Sequence, residues 1–426
     1  MIVPLQEAVP ETCGGKAGAL GALLRAGLPV PDGFVVPFAA YLAAVRDLDL
    51  GPVPGEPADH AAARQMIGAR PVHTTVTDAL GRALDQLGDP PVAVRSSAAD
   101  EDTGQASAAG QHESFLAVRG AGEVADAVRA CWASLFSPRA IEYRRAAGRD
   151  ARPPADPMMA VIVQRHLDAE ASGVMFTPAD PGDATRIEAS WGLGPSIVEG
   201  RVTPDAYLVA DDGSVARTVA DKRTRLDRRG TRLVSRDVPA PTRSRPAIDD
   251  ATATHLAELG RDIAALLGGP QDIEWATADG RTWILQARPV TAALPPTPPP
   301  TSPPALPPAP PPGTGGMPAA ALTGTPGSHG TVTGTARIVR GPRDFARVRP
   351  GDILVCPFTD PAWTPLLRIA AGVVTETGGV LSHAAIVARE HRIPAVLGIP
   401  NVTGTLHDDA VITIDGTTGT VTAGDA

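Results

Sequence analysis

Several features are missing from this 426-residue chain, and each absence excludes something. No apolar run approaches the roughly 18 residues that a membrane-spanning helix needs. The opening segment, MIVPLQEAVPETCGGK, has neither the charged leader nor the apolar stretch of a secretory signal. Cysteine is scarce. Cys13, Cys131 and Cys356 are odd in number and far apart, and no two have zinc-ligand spacing. That argues against a disulfide framework, and a reduced, cytoplasmic setting is expected. A dense basic face is also lacking. The net charge is −9 with both signs spread along the chain, so no nucleic-acid partner is expected, and no membrane partner either. No repeat of fixed period is present.

What is present is an ordinary hydrophobic fraction, 43%, on a chain too long for one core, so two or three domains are expected. One boundary is plain. From Pro295 to Pro312, twelve of eighteen residues are proline. No packed helix or strand tolerates that density. The segment reads as a polyproline II spacer of about 3.1 Å per residue, roughly 55 Å if fully extended, although proline-rich segments also serve as recognition ligands. The expected organisation is a large N-terminal part, 1–290, a linker, 291–319, and a smaller C-terminal domain, 320–426.

The N-terminal part mixes periodicities. Ala17 to Ala26 has helical spacing and stops at Gly27 and Pro29, and Val124 to Leu135 is helical too. Val92–Val94, Ala160–Gln164 and Gly173–Thr177 read as strands. Asp272–Ala276 and Thr282–Gln286 read as two strands joined at Asp279-Gly280. The C-terminal part opens with short strand signals, continues through Ile353–Cys356 and a helix after His383, and closes on Val411–Ile414. That pattern suits a small α/β domain around a central sheet.

Chemistry concentrates in a few places. Gly14-Gly15-Lys16 opens the first long helix, where backbone N–H groups and one mobile cation suit phosphate, although the same residues also make a plain helix start. Arg95 ends a buried strand and can grip a polyphosphate in a fork; a structural salt bridge is the alternative. The loop Gly104–Gln111 has little side-chain bulk and could cover a nucleotide, or be a surface loop. On the expected strand pair, Glu274 and Gln286 share a face, with Arg288 two residues on. Mg²⁺ on a nucleotide commonly uses one or two protein carboxylates, which suits this pair. In TETGGVLSHAAIVARE, the glycines Gly378 and Gly379 precede His383, and small helix formers follow it. A helix starting near Ser382 aims free N–H groups at the imidazole. Those are the parts needed to carry a phosphoryl group on a histidine.

Taken together, these segments resemble the PEP-utilising dikinase family, which includes phosphoenolpyruvate synthase, pyruvate phosphate dikinase and rifampicin phosphotransferase. GGKAGALGALLRAGLPVPDGFVV, VAVRSSAADED, ASAAGQHESFL, CWASLFSPRAIEYR, ASGVMFTPAD, GLGPSIVEGRVTPD and PQDIEW…WILQARPV occur in the family order. DPAWTPLLRIAAGVVTETGGVLSHAAIVAREHRIPAVLGI resembles the family's mobile phosphohistidine domain. The resemblance implies a multidomain α+β and α/β protein: an ATP-grasp nucleotide-binding domain, then a swivelling phosphohistidine β/β/α domain. It implies ATP and Mg²⁺ as cofactors. Lys16 and Arg95 would hold the ATP phosphates, Gly110 and Ser114 would contact the nucleotide, and Gln164 would lie near the adenine. Glu274 and Gln286 would bind Mg²⁺ and ATP, Arg288 would stabilise transferred phosphate, and His383 would be phosphorylated within the loop marked by Thr375, Gly378, Gly379 and Ser382. Ser114 stands where the family often has threonine. Leu381 stands where pyruvate phosphate dikinases carry a regulatory threonine, so that regulation is expected to be absent.

The implied reaction moves the β-phosphoryl of ATP to His383, leaving AMP and phosphate, and then on to an acceptor. No acceptor-binding barrel or antibiotic-binding domain matches, which makes pyruvate a poor expectation. Three readings stay open: an acceptor site on a separate subunit, a small-molecule acceptor that is phosphorylated or activated for condensation, and a catalytically silent binding protein.

Overall fold

The computed structural model describes residues 2–48, 50, 57–99, 113–138, 140–141, 157–180, 182–291 and 321–423. The chain divides into two compact units, Met1–Thr291 and Ala292–Ala426.

The first unit holds two antiparallel sheets. One contains β1 (Val3–Pro4), β2 (Gly33–Val36), β3 (Val92–Ala98), β4 (Ser114–Val118) and β5 (Met159–Arg165) in the order β1-β2-β5-β3-β4. The other contains β6 (Ala171–Phe176), β7 (Thr185–Trp191), β8 (Asp205–Val209), β9 (Val215–Thr218), β12 (Gln271–Ala278) and β13 (Arg281–Pro289) in the order β13-β12-β6-β7-β8-β9. A separate hairpin, β10 (Thr224–Arg229) with β11 (Arg232–Asp237), lies between β9 and β12 in the chain.

Helix α1 (Pro10–Arg25) runs past its expected start at Ala17, but it is broken at Gly14 (φ 80°, ψ 166°). A Cβ at Gly14 would sit 2.4 Å from the Ser97 carbonyl oxygen, so only glycine fits. The regular helix therefore starts at Gly15-Lys16, beside the end of β3. Strand alternation sorts β5 into two cores. Ala160 and Ile162 join α1 and the long helix α4 (Asp250–Leu267) in one cluster that also takes Ile273, Trp275 and Ala287 from the second sheet. Met159, Val161 and Val163 face the opposite cluster, with α2 (Thr74–Leu87) and α3 (Ala121–Ser134). The turn at Asp279-Gly280 has positive φ at both residues, 52° and 67°, as a tight hairpin requires.

The second unit is one eight-stranded sheet. Its strands are β14 (Leu322–Thr323), β15 (Thr325–Ser328), β16 (Thr331–Ile338), β17 (Ile353–Cys356), β18 (Gly372–Thr375), β19 (Ala395–Leu397), β20 (Val411–Asp415) and β21 (Thr420–Ala423), ordered β14-β21-β20-β16-β17-β18-β19-β15. β16 to β19 pair in parallel, and the flanking strands are antiparallel. The buried, aliphatic β17 and β18 match strands covered on both faces. One side packs on α5 (His383–His391) and Trp363, the other on Val402 and Leu406.

Candidate functional site: a two-sheet polar cluster and a buried histidine

In the first unit the sequence-named residues converge. Glu274 pairs with Gln286 in register, and Asp272 pairs with Arg288. All four point away from the Ile273–Ala287 core face. Arg95 reaches them from the other sheet. Its Nη2 donates to Glu274 Oε2 at 2.9 Å and to Gln286 Oε1 at 3.0 Å, and its Nη1 donates to the Leu285 carbonyl at 2.7 Å. Ser114 lies directly opposite Arg95 on β4 and is exposed. Lys16 follows the helix break at Gly14, where Ala17 N donates to Ser97 Oγ at 3.1 Å, two residues beyond Arg95. Gln164 shares the Arg95 face of β5, is buried, and donates to the Pro31 carbonyl at 3.0 Å. Gly110 and the loop 104–111 lie outside the described residues.

Two oxygens that accept from a single nitrogen converge on one point, and that makes a cation cradle. Among the described residues no group of three or more His, Cys, Asp or Glu forms a metal site. Glu274 and Gln286 therefore fit a Mg²⁺ ion that draws its other ligands from water and substrate phosphates rather than from an all-protein cage.

Arg288 is buried and its Nε and Nη2 both donate to Asp272 Oδ2, at 2.9 and 2.7 Å. A carboxylate that grips a guanidinium this way fixes the plane of the fork. Register extends the same face across the sheet. Glu188 lies opposite Val174, which lies opposite Glu274, and Arg186 lies opposite Phe176, which lies opposite Asp272. Glu188 is 3% exposed.

In the second unit His383 opens α5, just past the C-terminal ends of the parallel strands β17 and β18, where α/β sheets place their ligands. It is only 5% exposed. Nδ1 lies 2.9 Å from Thr359 Oγ1, and Nε2 lies 3.3 Å from Thr364 Oγ1. Ser382 is the N-cap, but its hydroxyl donates to the Gly379 carbonyl and accepts from no helix N–H. Gly378 sits at φ 112°, and both glycines are buried. Thr375 ends β18, and its hydroxyl donates to the Thr377 carbonyl at 2.6 Å. Cys356 ends β17, and burial, with Glu376 nearby, pushes its thiol far above the usual range.

This geometry agrees with comparison to known proteins. Residues 10–298 match the family described as pyruvate phosphate dikinase, AMP/ATP-binding domain, and residues 348–419 match PEP-utilising enzyme, mobile domain. The chain belongs to the pyruvate phosphate dikinase family. Similar proteins include a probable phosphoenolpyruvate synthase of Methanothermobacter thermautotrophicus, 38% identical over 96% of this chain and 61% of that protein. Another, from Archaeoglobus fulgidus, is 35% identical over 96% of this chain and 56% of its own length. The phosphoenolpyruvate synthase of Aeropyrum pernix is 34% identical, with 96% and 56% covered. The chain thus spans little more than half the length of these curated relatives.

Within this pyruvate phosphate dikinase fold, sequence reasoning missed Thr359, Thr364, Asp272, Arg186 and Glu188. Asp272 was within reach, because it has the same strand parity as Glu274. A second signal lay in composition. The chain has only two lysines, Lys16 and Lys222. Lys222 is fully buried against Asp205 at 2.5 Å, and Lys16 is half-buried at the start of the regular part of α1.

Proposed function

We propose that the chain is an ATP-dependent, dikinase-type phosphotransferase module in which His383 carries the phosphoryl group. The observation that carries this reading is the pairing of two sites in one family chain. One is a cation cradle built by Arg95, Glu274 and Gln286; the other is a buried histidine held by hydroxyls at a helix start. The β-phosphoryl of ATP passes to His383, AMP leaves, and the γ-phosphoryl ends as inorganic phosphate. Phosphoryl transfer is governed by positioning and charge neutralisation, which Lys16, Arg95 and Arg288 supply, with Ser114, Gly110 and Gln164 around the nucleotide. Mg²⁺, held by Glu274 and Gln286, would neutralise phosphate charge. At His383, an Nδ1–H donated to Thr359 Oγ1 leaves the Nε2 lone pair for attack. The N–H groups at the start of α5 favour the dianion that results.

The proline-rich residues 295 to 312 lie outside the described residues, and the proposed setting is cytoplasmic. For the acceptor, the relatives are named for making phosphoenolpyruvate, which weighs against the expectation that pyruvate is a poor acceptor. Pyruvate becomes the first acceptor to test, whether its site lies in this polypeptide or on a separate subunit.

The test is to incubate the purified chain with ATP labelled at the β-phosphoryl. An acid-labile label on the native chain, lost in His383→Ala, supports the reading. No label on the native chain overturns it.

A further inference from the structure

Resting on that reading of the nucleotide site, we propose that Arg95 occupies the place of the metal ion, so that metal entry is conditional on nucleotide. Arg95 Nη2 satisfies Glu274 Oε2 and Gln286 Oε1 together, at 2.9 and 3.0 Å. Its Nη1 is anchored on the Leu285 carbonyl at 2.7 Å. Gln286 has a single side-chain oxygen, and a guanidinium 3.0 Å from it fills the space in which a cation would bind. Arg95 and the ion are therefore competitors for one cradle.

The competition has a direction. The Arg95–Glu274 pair is partly buried, 16% and 25% exposed, so it is not weakened by full solvation. Charge-assisted bonds of this kind are the stronger class. A nucleotide's phosphates offer Arg95 an alternative set of anionic oxygens. When the guanidinium moves to them, the two cradle oxygens are released to the metal that the same phosphates bring. Metal and nucleotide affinities are then positively coupled through one side chain, and by linkage the coupling is reciprocal. The arrangement weakens the binding of an ion in the cradle without its nucleotide.

The experiment titrates the full chain with Mn²⁺ alone and follows the free ion by electron paramagnetic resonance. Arg95→Met should bind Mn²⁺ about tenfold more tightly than the native chain, a gain of the size expected when a charge-assisted bond no longer competes. Arg95→Met/Glu274→Gln should lose that gain. Arg95→Gln serves as a second variant that removes charge but keeps a donor for Leu285, and circular dichroism and melting establish that each variant is folded. If both Arg95 variants bind within twofold of the native chain while Glu274→Gln weakens binding, the cradle stands and the exchange is overturned. If Glu274→Gln leaves binding to Arg95→Met unchanged, the nucleotide-site reading itself fails, and the exchange fails with it.

Discussion

His383 has a hydroxyl at each ring nitrogen, and the two contacts are unequal. Thr359 approaches Nδ1 at 2.9 Å, and Thr364 approaches Nε2 at 3.3 Å. The shorter contact fixes the ring plane, as an orienting partner does for a reactive imidazole. Thr359→Val should therefore slow acid-labile labelling of His383 by about ten- to a hundredfold, a range typical of losing an orienting partner, while Thr364→Val costs less. Rapid-quench labelling from β-labelled ATP measures both. Lys16 offers a second test at this scale. Because Lys222 is sealed in its ion pair, mild acylation should modify Lys16 and the terminal amine but spare Lys222, and a non-hydrolysable ATP analogue should protect Lys16. Peptide mass spectrometry reads the result. The threonines were not legible in the sequence because they follow a different strand from the histidine. Only the parallel pairing of β17 with β18 brings them together.

Among the secondary-structure elements, the β12–β13 hairpin was the most legible. Its alternation, its aromatic residues and its Asp-Gly turn marked strands and turn, but the register of that turn would set Glu274 opposite Leu285, and a bulge between Glu274 and Trp275 brings Gln286 there instead. The β10–β11 hairpin was not read from the sequence. Its arginine-rich strands carry little apolar alternation, and its place depends on remote contacts. Arg228 donates through Nε to Asp168 Oδ1 at 2.7 Å and through Nη2 to Oδ2 of the same carboxylate. His166 lies under that pair. Burial, and then the Arg228 charge, lower its pKa from 6.5 to about 4, against the opposing pull of Asp168. The unfolded chain therefore binds the proton first as pH falls. The neutral, buried His166 contributes stability that is fully present above about pH 6.5 and is lost as pH drops toward 4. The shift corresponds to about 3 kcal/mol. Melting temperature should fall across that window, and the fall should be shallower in His166→Gln; equal slopes would contradict the assignment.

For the molecule as a whole, each unit has its own cores. Those of the first centre on β5 and α4 or on α2 and α3, and those of the second lie on either side of β17 and β18. Calorimetry should show two transitions. An ATP analogue at a hundred times its Kd should raise the first by about 2.7 kcal/mol and leave the second unmoved. A single transition would contradict two independently cooperative units. The division after Thr291 falls just before the proline-rich segment, which lies outside the described residues. No described helix is long and apolar enough to cross a membrane, in line with the absence of long apolar runs. The row of Arg186 and Glu188 was illegible for a global reason. It exists only once β7 is placed two strands from β12, and nothing local to TRIEASW specifies that neighbour.

The contact of Arg95 with β13 has one more consequence. β13 is the outer strand of its sheet, and an outer strand presents unpaired backbone groups on which another chain can template. Here Ile284 N donates to the Pro29 carbonyl at 2.7 Å, and the Leu285 carbonyl accepts from Arg95. The Arg95 side chain, proposed above to grip phosphate, also occupies one backbone acceptor of this rim. A substitution at Arg95 would therefore expose a backbone acceptor on that rim as well as alter the contacts of Glu274 and Gln286.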